Sequence, residues 1–279
     1  MHMHTQNPNH AASSTGARRG ALRACTALAL GVSAIAALVL PAAAAAAPRV
    51  TFSAKILPIP HFPHTGNILG AGASIEANFA ITGTEYDQGH PAPLRGVNVF
   101  FPKGTKITTK GFPTCTTTKL ETGGPPACKK AASGPVGHAN GVVNIGGEPV
   151  REETTVQGFF TSNGLDFFIE GNSPTKIEKV STGHWTTASA PYGPELVTEV
   201  PLIETLPGAP DASAESIHVK SGVAMKKGNK TIYYGTVPKT CPKGGFPAKA
   251  ELFFGEGAKP SWEKVTVTAK VPCPPAKKR

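Results

Sequence analysis

Residues 73–82 read Ala73-Ser74-Ile75-Glu76-Ala77-Asn78-Phe79-Ala80-Ile81-Thr82. Every odd-numbered position is apolar, and every even-numbered one except Ala80 is polar. A period of two sends alternate side chains to opposite faces of a strand, so this run predicts a half-buried strand with one face on a core. The same rhythm recurs in Val265, Val267, Ala269 and Val271 against Lys264, Thr266, Thr268 and Lys270. It recurs again in Ala248, Ala250, Leu252 and Phe254 against Lys249 and Glu251, and in Leu165, Phe167 and Ile169 against Asp166 and Glu170. Further strands are expected at residues 49–56, 94–101, 141–145, 150–160, 196–203, 216–223 and 230–237.

Turn chemistry separates these runs. Ser162-Asn163-Gly164 predicts a hairpin, because asparagine and glycine accept positive φ, and Lys227-Gly228-Asn229 and Gly255-Glu256-Gly257 serve similarly. With 31 glycines and 27 prolines among short alternating runs, long helices are disfavoured. The expected fold is all-β, an antiparallel β-sandwich or jelly roll with disulfide-tethered loops.

Working towards the N-terminus, Arg18, Arg19 and Arg23 precede an apolar stretch over residues 24–40, followed by Pro41 and the alanines 42–47. A basic region, an apolar run too short to prefer spanning a bilayer and a small-residue exit make a secretory signal peptide over residues 1–47, cut within residues 44–47. Gly20-Ala21 after the arginine pair argue for general secretion over the twin-arginine route, and Cys25 stands at the start of the apolar run rather than after it, against lipidation. No integral membrane segment is expected after signal removal, so the product is secreted or held non-covalently at the cell envelope.

Cys115, Cys128, Cys241 and Cys273 remain in the mature part. An even number in an exported chain reads as disulfides, of which three pairings are possible; Cys115–Cys128 and Cys241–Cys273 each bracket a local segment and are favoured. No Cys-x-x-Cys or His-x-x-x-His accompanies them, so neither metal nor other cofactor is expected. Residues 48–279 read as a single all-β domain. Residues 111–141, poor in apolar side chains, read as a long loop closed by the first disulfide. Residues 206–213 are rich in proline, glycine and alanine, and suggest a long crossover or a subdomain break.

The leader holds three arginines and no acid, leaving 25 basic against 18 acidic residues and a net charge of about +7. This balance favours acidic surfaces such as wall polymers, through attraction that salt screens. The lysines are scattered and form no dense stripe with interleaved aromatics, so nucleic acid is not an expected partner.

Candidate chemistry is sparse. His61-Phe62-Pro63-His64 has a spacing that could chelate a metal, but no third ligand is identifiable and solvated imidazoles explain it as well; His90, His138, His184 and His218 are isolated. Glu170 with Glu152 or Glu153 is the best-placed carboxylate pair for a glycosidase, though no spacing singles it out from ordinary polar-face residues. Trp185, Tyr192 and Trp262, with Tyr233-Tyr234, could stack on a sugar, and their amphipathic rings equally suit core edges. No Gly-x-Ser-x-Gly elbow or phosphate-binding Gly-Lys-Ser/Thr loop occurs.

Residues 100–105 (Phe-Phe-Pro-Lys-Gly-Thr), Gly111-Phe112-Pro113-Thr114-Cys115 and Cys128 are followed by Thr240-Cys241-Pro242-Lys243-Gly244-Gly245-Phe246 and Val271-Pro272-Cys273-Pro274. This pattern resembles exported bacterial all-β proteins with two local disulfides. The resemblance implies a fold and a compartment, and no activity. The expectation is an exported, non-catalytic β-protein that binds a glycan, an acidic wall polymer or a protein partner. The alternative is a secreted jelly-roll polysaccharide hydrolase using a carboxylate pair.

Overall fold

A computed structural model describes residues 47–59, 62 and 68–274. The leader before Ala47 and the histidines His61 and His64 lie outside the described residues. In chain order the strands are β1 (Arg49–Leu57), β2 (Ser74–Thr82), β3 (Leu94–Pro102) and β4 (Lys106–Ile107). Helix α1 (Thr117–Gly123) precedes β5 (Ser133–Ile145), β6 (Glu148–Phe160), β7 (Leu165–Gly171), β8 (Ile177–Thr187) and β9 (Tyr192–Glu199). Then come β10 (Ser213–Ser221), β11 (Ala224–Lys227), β12 (Lys230–Tyr233), β13 (Gly235–Thr236), β14 (Phe246–Phe254) and β15 (Glu263–Val271).

Eleven of these strands form one antiparallel sheet in the order β1-β2-β10-β5-β6-β7-β8-β9-β3-β14-β15. The sheet curls until its two edges, β1 and β15, lie alongside each other. Ten antiparallel steps separate those edges, so β1 and β15 run in the same direction. Phe52, Ala54 and Ile56 of β1 pack against Phe246, Ala248 and Val271, while Val50, Val265 and Val267 join the cluster around Phe79 and Leu252. Side chains therefore bridge a seam that carries no ladder of the sheet, and the fold is intermediate between a barrel and a flattened sandwich. Lys55, Lys264 and Lys270 alternate with the inward residues of the edges, a common protection against edge-to-edge pairing.

Two crossings cover each end of the roll. At one end residues 83–93 lead from β2 to β3, and residues 200–212 lead from β9 to β10. At the other, residues 103–132 and 222–245 join the tops of β3, β5, β10 and β14, with β4 pairing β13 and β11 pairing β12. The described residues belong to one compact unit.

Most expected strands appear within a few residues of their sequence bounds. The 162–164 turn does form, with Thr161 N donating to Gly164 O at 3.1 Å. Its glycine answers a different need from the one expected: a Cβ at Gly164 would lie 1.9 Å from the Gly183 carbonyl of the next strand. Lys227-Gly228-Asn229 behaves as expected, with Gly228 at φ 58° between β11 and β12.

Three segments differ from the sequence reading. Strand β8 escapes the alternation argument, because its inward positions include Ser181 and Gly183, while Val180 on its outer side packs under α1. Strand β9 lies earlier than the expected 196–203. The expected loop over 111–141 is largely structured. Thr116 caps α1 by accepting from Lys119 N at 3.4 Å, and β5 already begins at Ser133. Leu120, 1% exposed, docks with Cys115 and Ala132 onto Phe159 and Phe168 of the outer wall. Thr117 Oγ1 donates to Asp166 Oδ2 at 2.6 Å, which fixes the helix to β7. Disulfides join Cys115 to Cys128 and Cys241 to Cys273. Among the described residues no helix is long and apolar enough to cross a membrane.

Candidate functional site: an apolar lumen

The alternation that builds each strand also decides what faces the interior. On β6 the inward residues are Val150, Glu152, Thr154, Val156 and Phe160, and on β7 they are Leu165, Phe167 and Ile169. Elsewhere many inward positions are small: Ala54 on β1, Ala77 on β2, Ala139 on β5, Ala214 on β10 and Ala248 on β14 all line the interior. An eight-stranded barrel is just wide enough for its own side chains to fill. With eleven strands and alanine at several inward positions the side chains do not meet, and a cavity of about 290 Å³ remains. Its walls are overwhelmingly aliphatic and aromatic, and Glu152 is the only charged residue on them among the described residues.

The two ends of the lumen differ in chemistry. One is plugged by rings. Phe112 and Phe160 lie 5.0 Å apart, Phe160 and Tyr234 4.5 Å, and Phe101 and Trp185 5.6 Å between centroids. Trp185 Nε1 donates to Tyr234 Oη at 2.7 Å, and Tyr234 Oη donates to Gly164 O at 3.2 Å. Burial pushes the Tyr234 phenol up to about 12, and the bond from Trp185 partly offsets this.

The end crossed by residues 200–212 carries the polar groups. Pro201, Ile203 and Thr205 of that crossing line the cavity, as do Pro174 and Thr175 of the β7–β8 turn. Glu152, 7% exposed, sits here. Its Oε1 accepts from Ser173 N at 3.2 Å, and its Oε2 accepts from Thr175 N at 3.3 Å and Thr175 Oγ1 at 3.0 Å. A Cβ at Gly171 would lie 2.3 Å from Glu152 Oε1, so the carboxylate occupies space that only glycine leaves open. Thr205 Oγ1 is buried with no hydrogen-bond partner.

The three aromatic candidates do not share a surface. Trp185 lines the lumen. Tyr192 lies against Phe100 at 5.7 Å, with Lys249 Nζ 5.5 Å from its ring. Trp262 stacks under Arg95 at 4.7 Å and donates Nε1 to Gly257 O at 2.8 Å. The further candidate Tyr233 sits over Gly72, whose Cβ would meet its ring at 1.9 Å, while Tyr234 belongs to the lumen plug.

The carboxylates divide as well. Glu152 points inward. Glu170 shares its alternation with Asp166 and Phe168, which face α1 on the outside, so this pair lies on opposite sides of the wall. Glu153 also points outward and is 3.9 Å from His138. His218 is paired with Asn78 across β10 and β2, and His90 closes a backbone turn with Tyr86. Among the described residues no three His, Cys, Asp or Glu side chains gather into a metal site.

Sequence reasoning singles out Trp185 and Glu152, but for surface chemistry; it does not show that both face one lumen. The signal that bears on it is the repeated choice of alanine at inward strand positions, which Ala77 and Ala248 display within their alternating runs. Comparison with known proteins finds no family model, no curated protein and no solved structure that matches the chain.

Proposed function

We propose that the protein is an exported, non-catalytic binding protein that holds a small apolar molecule inside its barrel. The lumen carries this reading. An apolar cavity left unfilled forfeits the contacts its lining atoms would otherwise make, so 290 Å³ of it is a standing cost to stability. Larger side chains at Ala54, Ala77 or Ala139 would remove the cost, yet these positions are alanine. A ligand that fills the space restores the lost dispersion contacts, and its transfer from water adds the hydrophobic gain.

Export is supported by the tripartite leader and the two disulfides, which suit an oxidising compartment. Outside, the basic surface would draw the protein towards acidic envelope polymers over distances that salt shortens. A glycan or wall-polymer site would then lie on that outer surface, separate from the lumen.

The test is fluorescence titration with N-phenyl-1-naphthylamine. Trp185 lines the cavity and Trp262, the second of two tryptophans, does not. Saturable one-to-one binding is expected, with energy transfer that falls more in Trp185→Phe than in Trp262→Phe. Absence of saturable binding, or transfer that depends on Trp262 alone, would refute the proposal.

A further inference from the structure

Resting on the apolar-lumen reading, we infer that the ligand carries a protonated amine at one end, which docks on the Glu152 carboxylate beside residues 173–175. A carboxylate taken out of water is costly unless it is hydrogen-bonded and paired with a cation. Glu152 meets the first condition through Ser173 and Thr175. It does not meet the second: among the described residues no lysine, arginine or histidine pairs with it. Its three donors also leave room on Oε1, which accepts only from Ser173 N.

The position matters as much as the charge. Glu152 is the single acidic or basic residue on a mostly apolar wall among the described residues, and it stands at one end of the lumen. A chain or ring system lying along the barrel with an ammonium at that end would complete the ion pair and bury its apolar body in the same act. Thr205 adds a second, independent sign of polarity at this end, a buried hydroxyl oxygen without a partner. Sites that hold a buried polar group ready for a ligand discriminate strongly against analogues that lack its counterpart.

The obvious rival role for Glu152 is to hold the 172–175 turn and nothing more, and the test separates the two. Decan-1-amine, decan-1-ol and decanoate are titrated at neutral pH as competitors of the naphthylamine probe, on the wild-type protein and on Glu152→Gln. The amine should bind about tenfold more tightly than the alcohol, the size of one charge-assisted hydrogen bond, and decanoate should bind worst. This order runs against the field of a mature chain with a net charge of about +7, so bulk electrostatics cannot produce it. Glu152→Gln should bring amine and alcohol within about threefold of each other while alcohol binding persists, which also reports that the variant is folded.

Equal binding of amine and alcohol to the wild-type protein would overturn the inference and leave the lumen reading intact. An amine preference that survives in a folded Glu152→Gln protein would overturn it too. Failure of all three compounds and of the probe to bind would sink the lumen reading itself.

Discussion

Trp185 and Tyr234, 49 residues apart, are joined by an indole N–H donated to a phenol oxygen at 2.7 Å. The bond ties β8 to the segment that closes the aromatic end of the barrel. Tyr234→Phe keeps the ring in its cluster but leaves the Trp185 N–H without its partner in a buried setting. A loss of about 1–3 kcal/mol is expected in urea unfolding, the cost of an unsatisfied buried donor.

The same phenol sets a pH dependence. Its folded value is pushed up to about 12 from an ordinary value of 10.0, so the neutral form is favoured in the folded state. The stabilisation is fully present below pH 10 and is lost as pH rises from there through about 12, because the unfolded chain ionises first. Two units correspond to roughly 2–3 kcal/mol. Tyr86 is raised as well, so the clean measurement is the difference between wild type and Tyr234→Phe in stability against alkaline pH. The gap between them should narrow by that amount.

Filling the lumen should stabilise the unliganded protein. Ala77→Leu points into the cavity from β2, next to Ala54 across the strand pair. A gain of about 1–2 kcal/mol is expected in thermal or urea unfolding, with weaker binding of the naphthylamine probe. In a filled core the same change would cost about 1–3 kcal/mol by overpacking, so the sign alone decides.

The two disulfides should fail differently. Removing Cys241–Cys273 by serine substitution should cost about 2–5 kcal/mol in global stability. Removing Cys115–Cys128 should chiefly release α1 from Phe159 and Phe168, because the bridge holds a surface segment over a finished wall. Tryptic cleavage after Lys119, Lys129 or Lys130 should then accelerate well before the barrel unfolds, as read by limited proteolysis.

What the sequence makes legible follows from which side of each strand is wet. Strands β2, β14 and β15 announce themselves because bulky apolar residues alternate with charged or hydroxyl ones. Strand β8 and the first half of β5 do not, since their inward positions include Ser181, Gly183, Pro135, Gly137 and Ala139. Those residues are small because several face a lumen rather than a packed core, and others let neighbouring backbones approach. The features that hide these strands from a periodicity argument are thus partly the ones that make the cavity. The carboxylate candidates are visible as residues, but the opposite orientation of Glu152 and Glu170 depends on strand register, which alternation within one strand does not reveal.

The seam between β1 and β15 has a consequence in time. These are the first and last described strands of the chain, so the wall gains its second edge only when residues 263–271 are in place. Until then β14 ends the sheet, and the interior stands open along its whole length. Joining segments so distant in sequence is a slow, late event in folding. The strand that completes the wall of the lumen is therefore also the one whose loss would open it along its side.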